Sequence, residues 1–287
     1  MTSEWAGPGA YDVPEQDYHA DRLVPGGSLS YSGAKKLLPP SCPALYRHGR
    51  DSPQQHKAVF DFGTAVHTLV LQSGAALYVI DEPDWRKKAA QDERDGAYEH
   101  AFAPLLVADY LTAAAAAAAV HAHPIAGPLF ARPGAAEQSL YWTTSIELDG
   151  AQVTVGRRAR PDWQTTLADG RPVVVDLKTC VSAHPGAIAK AVWNFRYDMQ
   201  ADGYTDAVQT VQGLDVPPPF VFVFVEKAAP HLVTVCELDG HALTVGRASN
   251  LRALRIYAEC QASGVWPSYV SDIPLITLPP WAREDNP

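Results

Sequence analysis

The chain has 287 residues, of which 47% are hydrophobic, and this composition predicts a globular protein with one large domain or two small ones. It excludes a disordered chain, and no stretch reaches the roughly 18 consecutive apolar residues of a membrane span. The formal net charge of -9, from 23 Lys and Arg against 32 Asp and Glu, argues against non-specific adhesion to polyanions and, taken alone, against a nucleic-acid partner.

The N-terminus and the cysteines indicate the compartment. Residues 1–16 lack a basic stretch followed by an apolar run, so no secretory signal is predicted. Cys42, Cys180, Cys236 and Cys260 show neither a CxxC pair nor a Cys/His spacing suited to zinc. They predict reduced, mostly buried thiols. We therefore expect a soluble, cytoplasmic protein without a membrane partner.

The N-terminal part of the sequence is predicted to be mainly helical. Residues 1–27 are rich in Pro and Gly and indicate an arm laid over the surface of the domain. Ser41 is placed to cap a helix over residues 42–50. A second helix, ending near Gly74, is predicted by an apolar face. The residues of that face are Phe60, Phe62, Val66, Leu69 and Val70.

Two further segments follow before the first strand. Residues 84–99 are strongly charged, and the run of seven alanines and a valine at residues 113–120 predicts a helix that packs closely on one side. Pro124 is expected to end that helix.

The C-terminal part alternates predicted strands and helices. Strands are expected at residues 139–148, 152–163 and 172–179, with turns at Asp149-Gly150 and Asp169-Gly170. Helices are expected at 185–193, 196–212 and 240–263, and a hairpin at 220–226 and 232–238. This order predicts an α/β fold of the mixed α+β kind, with a central mixed sheet flanked by helices. We expect an arm at 1–27 and one domain at 28–287, with a mainly helical part at 28–125 and the sheet core at 135–270.

The sharpest chemical pattern is Asp176-Leu177-Lys178 at the end of an apolar strand. Residues i and i+2 of a strand share a face, so Asp176 and Lys178 stand about 7 Å apart along the backbone. A return through the turn at 169–170 can bring Asp162 beside Asp176. Two converging carboxylates suit Mg²⁺, and a neighbouring lysine can act on the attacking water or offset phosphate charge. The alternative is a plain ion pair beside a turn.

Three polar residues on predicted helices lend weight to this site. His67 follows Gly63 by four residues, so both lie on one helical face and another backbone can approach closely there. Its alternative role is that of a core histidine. Gln200 and Tyr204 are also four residues apart, which indicates either a polar edge or contacts to the phosphates and bases of a substrate.

Taken together, these motifs resemble the RecB-type branch of the PD-(D/E)xK nucleases. Within the branch, the likeness is greatest to the C-terminal nuclease domain of RecE, exonuclease VIII, and its phage relatives, and it is collinear from about Leu29 to the SGVWPSY motif at 263–269. The motifs are His67 in GTAVH, Glu137 in EQSLYW, Asp162 in GRRARPD, Asp176 and Lys178 in VDLKT, and Gln200 and Tyr204 in QADGY.

The resemblance implies a restriction-endonuclease-like core with a helical N-terminal extension, and a role for each matched residue. Lys178 would act on the water, Glu137 would assist from its strand, and Gln200 and Tyr204 would contact the substrate. The implied metal ligands are Asp162, Asp176 and the Leu177 carbonyl, and His67 would be an additional ligand or lie beside the metal.

The resemblance also implies an activity and partners. RecE-like enzymes are Mg²⁺-dependent exodeoxyribonucleases, with Mn²⁺ as the alternative metal, that degrade linear duplex DNA from 5′ to 3′ for recombination. They assemble as homo-oligomeric rings and pass the single strand to an annealing protein. Related iron–sulfur nucleases need three cysteines after the core, where this sequence has Cys236 and Cys260, so we predict no iron–sulfur cluster.

Basic residues are the expected contacts to DNA phosphates, and we expect them to cluster around Asp176. Arg160, beside Pro161-Asp162, and Arg196, one helical turn before Gln200, are the preferred candidates. Trp85 or Trp193 could stack on an unpaired base, although core packing is the expectation for both. The remaining candidates, each with solvated surface charge as its alternative, are Lys35, Lys36, Arg86, Lys87, Lys88, Arg157 and Arg158.

Three other functions stay open. The same chemistry could serve an endonuclease of restriction or repair, and the fold could serve a non-catalytic module that binds DNA ends or a partner. The last alternative is an unrelated enzyme with an accidental D-x-K tripeptide. Convergence of Asp162, Asp176 and His67 within about one metal coordination sphere would argue against it.

Overall fold

The computed structural model describes residues 4–52 and 61–279. Within these ranges the chain forms three sheets surrounded by helices, which confirms the predicted mixed α+β fold. The strands are β1 (Gly9–Tyr11), β2 (Leu77–Ile80), β3 (Ala103–Leu106), β4 (Gly134–Ala136), β5 (Ser139–Leu148), β6 (Ala151–Ala159), β7 (Trp163–Thr166), β8 (Pro172–Cys180), β9 (Phe220–Glu226) and β10 (Val233–Cys236). The helices are α1 (Glu15–Ala20), α2 (Tyr31–Lys36), α3 (Pro43–Asp51), α4 (Asp61–Leu71), α5 (Lys88–Glu99), α6 (Val107–Ala122), α7 (Ala126–Ala131), α8 (Pro185–Phe195), α9 (Tyr197–Gln212) and α10 (Gly240–Ser263).

The largest sheet is mixed and has the strand order β10-β9-β8-β7-β4. β8 runs parallel to β9 and antiparallel to β7, so it lies at the centre. The side chains of β8 and β9 are mostly buried, as expected of interior parallel strands covered on both faces. A charged residue in the C-terminal half of β8 is therefore placed in a desolvated position.

The two faces of β8 contact different helices. Val173, Val175 and Leu177 pack in a cluster with side chains of α4, α6 and α7. Val174 faces the other way, into a cluster with α8, α9 and the phenylalanines of β9. By the strand alternation, Asp176 and Lys178 belong to the side of β8 that faces α9.

The alanine-rich helix α6 confirms the expected one-sided packing. Its buried residues, Ala113, Ala116, Ala117 and Val120, recur at helical spacing, and they pack against α4 and the central sheet. The small side chains let the helix axis approach closely. The helix ends at Ala122, just before Pro124, as predicted.

A second sheet is built around the hairpin of β5 and β6. Asp149 and Gly150 both have positive φ, 50° and 79°, which is the backbone that a tight two-residue hairpin turn requires. β1 adds to the free edge of β5. The expected single strand at 152–163 is wrong: β6 ends at Ala159, and β7 belongs to the central sheet. Pro161 lies at the break, because proline has no N–H group for the ladder.

Two other boundary predictions differ from the structure. The helix predicted at 42–50 begins at Pro43, and Cys42, not Ser41, is in the N-cap position without a side-chain cap. Proline is favoured at the first helical position, where no N–H is needed. The second strand of the last predicted hairpin is shorter, at Val233–Cys236. Phe60, which the sequence analysis assigned to the apolar face of the second helix, lies outside the described residues.

The arm is attached to the second sheet by apolar and ionic contacts. Val13, Tyr18 and Val24 pack on Tyr141 of β5. Asp21 forms an ion pair of 2.8 Å with Arg158 of β6. This segment therefore covers the face of the hairpin.

The four cysteines are all free, with Cys42 and Cys260 buried and Cys180 and Cys236 partly exposed. Among the helices of residues 4–52 and 61–279, none has both the length and the apolar character needed to cross a membrane.

Candidate active site

The pairing of β7 with β8 brings the two aspartates of the PD and D-x-K motifs together. Trp163 pairs with Val175, so Asp162, one residue earlier, lies opposite Asp176. The Asp162 Oδ2 atom accepts a hydrogen bond of 2.8 Å from the Leu177 N–H. Asp176 is fully buried. The turn at 169–170 therefore produces the close approach that its position in the sequence indicates.

Lys178 and Gln200 hold the buried carboxylate of Asp176 from two sides. The Lys178 Nζ atom lies 2.5 Å from Asp176 Oδ2 and 5.0 Å from the ring centroid of Tyr197. The Gln200 Nε2 atom donates a hydrogen bond of 2.6 Å to Asp176 Oδ1. Gln200 and Tyr197 both come from α9, so this helix forms one wall of the site.

His67 approaches from α4 on the other side. Its Nδ1 atom lies 3.5 Å from Asp162 Oδ2, and its ring is hydrogen-bonded to the backbone of Leu177. Gly63, one turn earlier, lies against β8, and a Cβ atom there would be 3.5 Å from Thr179 Oγ1. The helix is thus close enough to the strand for the imidazole to reach Asp162.

Glu137 lies next to these groups but not on a strand as expected. It follows β4 by one residue and has a left-handed backbone, with φ 47°. Its N–H donates to the Asp162 carbonyl at 3.0 Å. Gly74 also has positive φ, and a Cβ there would lie 3.1 Å from Glu137 Oε2, so glycine leaves room for the carboxylate.

Burial controls the charges at this site. It raises the pKa of Asp162 to about 6, and it raises that of Asp176 to about 7, where the charge of Asp162 adds to the effect. Burial would lower the pKa of Lys178, but the two aspartates raise it above its ordinary range. Burial and the charge of Lys178 lower the pKa of His67. At neutral pH we expect a charged ammonium and a neutral imidazole beside an ionised Asp162 and a partly protonated Asp176.

The donors fit a divalent cation, although no preformed cluster is present. In the part of the chain that the structure describes, no group of three or more His, Cys, Asp and Glu side chains is arranged to hold a metal. The Asp176 Oδ2 atom is nevertheless buried without a regular hydrogen-bond donor, and it contacts the Lys178 ammonium. Two carboxylates with open positions for water are what Mg²⁺ takes. A cation would offset the charge that burial makes costly.

Gln200 and Tyr204 lie behind the carboxylates. Gln200 is buried, and its amide binds Asp176. Tyr204 is also buried, and its ring packs against the rings of Tyr31 and Phe220 at 5.9 and 6.2 Å. The structure therefore places both residues in the support of the site, and neither presents its side chain on an open surface where DNA would contact it.

The structure does not bring Arg160 and Arg196 to the carboxylates. Arg160 donates to the Val13 carbonyl at 3.0 Å and to Ser139 Oγ at 2.9 Å, which ties β6 to the arm. Arg196 makes two hydrogen bonds to Asp198, at 3.0 and 2.9 Å, and one of 2.6 Å to Ser249. Both guanidinium groups are occupied by the protein itself.

Most of the other basic residues expected to contact DNA also form ion pairs within the protein. Arg157 pairs with Asp206 and Arg158 with Asp21. Arg86, Lys87 and Lys88 pair with acids of their own surface segment. The groups whose charges act on Asp162 and Asp176 include Lys178 but none of these arginines, so the expected clustering of basic residues around Asp176 is wrong for the arginines. Lys35 of α2 does lie near Lys178. Burial lowers the pKa of Lys35 most, and the charges of Lys36 and then Lys178 lower it further.

Two tyrosines at the site were missed by the sequence analysis. Burial raises the pKa of Tyr31 to about 12, Lys178 opposes this effect, and Asp176 adds to it, so the phenol lies near both charges. Tyr197 lies under the Lys178 ammonium. Its spacing of three residues before Gln200 is a signal that places it on the same helical face. Tyr31 had no such signal, because the position of α2 depends on its packing against α9 and α10.

Comparison with known proteins adds the family to this geometry. The model of the PDDEXK-like domain of unknown function (DUF3799) matches residues 30–278. The chain belongs to this family. Membership confirms the resemblance to the PD-(D/E)xK superfamily, and together with the site it supports a nuclease.

One solved structure shows a similar fold. A crystal structure of a "Putative exonuclease" from Eubacterium rectale is similar with a TM-score of 0.59 at 14% identity, covering 93% of this chain and 97% of that chain. The structure of SSO0001 gives a TM-score of only 0.28 at 13% identity, over 72% of this chain and 85% of that chain, which does not indicate a shared fold. No curated protein matches the chain significantly.

Proposed function

We propose that the protein is a Mg²⁺-dependent exodeoxyribonuclease that degrades linear double-stranded DNA from 5′ to 3′ for recombination. The observation that carries the proposal is the convergence of Asp162, Asp176 and Lys178 at the end of β8, in a chain of the PDDEXK-like family. The Eubacterium rectale structure of the same fold, described as a "Putative exonuclease", supports the exonuclease over the endonuclease.

In this proposal the two aspartates hold the cation. Asp162 and Asp176 would bind Mg²⁺ with the Leu177 carbonyl and His67, and Mn²⁺ is the alternative, since it accepts the same oxygen ligands. When bound, the ion lowers the pKa of a water molecule and stabilises charge that develops on the phosphate. Gln200 keeps Asp176 in place through its hydrogen bond to Oδ1.

Lys178 supplies the positive charge of the protein at the reacting phosphate. The two aspartates keep its ammonium protonated and hold it at the carboxylate edge. A fixed ammonium in a desolvated site stabilises developing negative charge more strongly than it would in water. It also orients the attacking water by donating a hydrogen bond. Glu137 and the neutral His67 border the same position, and we assign them assisting roles.

The partners are part of the proposal. Linear duplex ends are the substrate, and the RecE resemblance supports a homo-oligomeric ring that passes the remaining single strand to an annealing protein in the cytoplasm. Lys178 at the carboxylates and the neighbouring Lys35 are basic groups placed to meet the phosphates.

The test is digestion of linear duplex DNA with Mg²⁺ by the wild type, Asp176→Ala and Lys178→Ala. Both variants should lose cleavage, while the exposed acid and base of the matched controls Asp169→Ala and Lys190→Ala should be dispensable. Cleavage that survives in Asp176→Ala and Lys178→Ala would overturn the assignment. Duplexes labelled at the 5′ or the 3′ end give the polarity.

Two further substrates separate the alternatives. A covalently closed circle has no end, so an exonuclease leaves it intact and an endonuclease cuts it. A non-catalytic module would bind linear DNA and cleave none of these substrates with any divalent ion.

A further inference from the structure

Two large aromatic side chains are exposed where α8 ends. Trp193 is 64% exposed and Phe195 is 54% exposed, so the core packing expected for Trp193 is wrong. The packing of α8 does not require them, because the helix is anchored by Ile188, which is buried in the α9-side cluster, and by Val192 at its edge. The two residues are two positions apart on α8, so each ring is a separate exposed apolar site, and large exposed rings of this kind mark a surface that binds something.

Phe195 is connected to the active site by ring contacts. Its ring stacks on Tyr197, with centroids 5.6 Å apart and planes inclined by 28°. Tyr197 in turn lies 5.0 Å from the Lys178 Nζ atom. Lys178, Tyr197 and Phe195 therefore form a line from the buried carboxylates to the solvent.

A basic side chain lies beside each of the two aromatic residues. Lys35 donates to the Phe195 carbonyl at 3.4 Å, and the Arg196 guanidinium lies 5.4 Å from the Trp193 ring centroid. Arg196 is neutralised by Asp198, whereas Lys35 is close enough to Lys178 for the two charges to repel. Aromatic faces beside lysine ammonium groups have the chemistry that binds single-stranded nucleic acid, with rings for the bases and cations for the phosphates.

We propose that Phe195 and Trp193 form a stacking platform for unpaired bases of the DNA strand that enters the site, with Lys35 binding its phosphates. The inference rests on the proposed nuclease function and deepens it by naming the substrate as a strand end that is frayed or overhanging. The faces of paired bases are covered by their neighbours in a duplex, so an exposed ring can stack only on a base that has left the helix. Phe195 is connected to Lys178 through Tyr197, and Trp193, two residues earlier on α8, offers its ring to a further base.

The first test measures binding without catalysis. A fluorescein-labelled duplex with a short single-stranded overhang is titrated in EDTA with the wild type, Phe195→Ala, Trp193→Ala and the double variant. Each single variant should bind about tenfold more weakly, which is the usual effect of removing one stacked ring. Phe195→Tyr and Trp193→Phe should retain binding. Tyr269→Ala, which removes a ring 67% exposed in the C-terminal segment, is the matched control.

A second substrate isolates the bases. An overhang of abasic sites keeps the phosphates and removes the stacking partners. The wild type should bind it about as weakly as the double variant binds the normal overhang, and the double variant should not distinguish the two. If the double variant preferred the normal overhang over the abasic overhang as strongly as the wild type does, the stacking proposal would be overturned. Wild-type DNA binding by the double variant together with a changed molar mass in solution would also overturn it, since the rings would then be a contact between protein copies.

The two proposals fail separately. If the variants bind the overhang more weakly but the wild type cleaves nothing with any divalent ion, the stacking proposal stands and the nuclease proposal is wrong. Normal cleavage and normal overhang binding by the variants would retain the nuclease and remove the platform. Because both side chains are exposed, the thermal unfolding temperature should be unchanged in all variants, which guards against loss of binding by misfolding.

Discussion

Two groups of charges that are neighbours in the sequence have opposite surroundings in the structure. The arginines of β6 each have a partner within the protein: Arg157 contacts Asp206, and Arg158 pairs with Asp21 at 2.8 Å. Asp162 and Asp176, a few residues further on, share one lysine in a buried site. The arginines hold the arm and the helices on the sheet, while the aspartates leave negative charge that a cation can offset. Charge is available for function where the protein does not compensate it.

The largest expected effect on cleavage comes from changing Asp176, one of the two aspartates that share a single lysine. Asp176→Asn should lower cleavage of linear duplex by about a thousandfold or more, because a divalent ion supplies several kcal/mol of transition-state stabilisation. The variant should fold, since the amide fills the same space and the charge of Asp162 still offsets that of Lys178. Single-turnover digestion measures the first effect and denaturant unfolding the second. A parallel loss of both would mean that Asp176 is a structural residue.

A change among the arginines of β6 should lower stability and leave cleavage unchanged. Arg158→Ala removes one of the two arginines that pair with the buried Asp21 and leaves Arg50 at 3.3 Å, so we expect a loss of about 2 kcal/mol in the free energy of unfolding. Cleavage per folded molecule should be unchanged. The exposed pair of Arg171 and Asp169 is the matched control, and Arg171→Ala should change stability by less than about 1 kcal/mol. Normal stability with reduced cleavage would make Arg158 a DNA contact.

Metal binding should reveal the uncompensated charge directly. Mg²⁺ should raise the thermal unfolding temperature of the wild type and leave that of Asp176→Asn nearly unchanged, because a ligand that binds the folded state stabilises it. The pKa of both carboxyls is raised by burial, so in metal-free protein their protonation favours folding and this contribution is lost as pH rises from about 4 towards about 7. The stabilisation by Mg²⁺ should therefore be larger at about pH 8 than at about pH 5.5. An equal shift at both values would contradict the site.

A smaller effect is expected for the residue that holds Asp176. Gln200→Ala removes the hydrogen bond to Oδ1 and should lower the maximal rate about tenfold, while DNA binding in EDTA stays at the wild-type level. Gln209→Ala, on the same helix away from the site, is the control. Weaker DNA binding by Gln200→Ala would instead indicate a substrate contact.

The smallest effect is expected for Tyr204. Tyr204→Phe keeps the ring that packs against Tyr31 and Phe220, so cleavage and binding should change by less than about threefold. A much larger loss in DNA binding would show that the hydroxyl reaches the substrate.

Much of the fold could be predicted from local patterns. The hairpin turn at Asp149-Gly150, the helix Gly240–Ser263 and the central strands appear where the sequence indicates them, because turn residues and periodic burial act over a few neighbours. The approach of Asp162 to Asp176 was also within reach, since only one short turn separates β7 from β8. The strand expected at 152–163 was misjudged because its two halves belong to different sheets.

The sequence by itself determined most of the elements, the PD-(D/E)xK superfamily and the pair of aspartates, all of which depend on residue type and short spacing. Only the tertiary structure decided which charges are compensated. Asp21 neutralises Arg158 and Asp198 neutralises Arg196, while α2 brings Tyr31 and Lys35 to Lys178. The physical reason is that the cost of a charge depends on burial and on partners that packing brings from distant parts of the chain, and no local pattern records either.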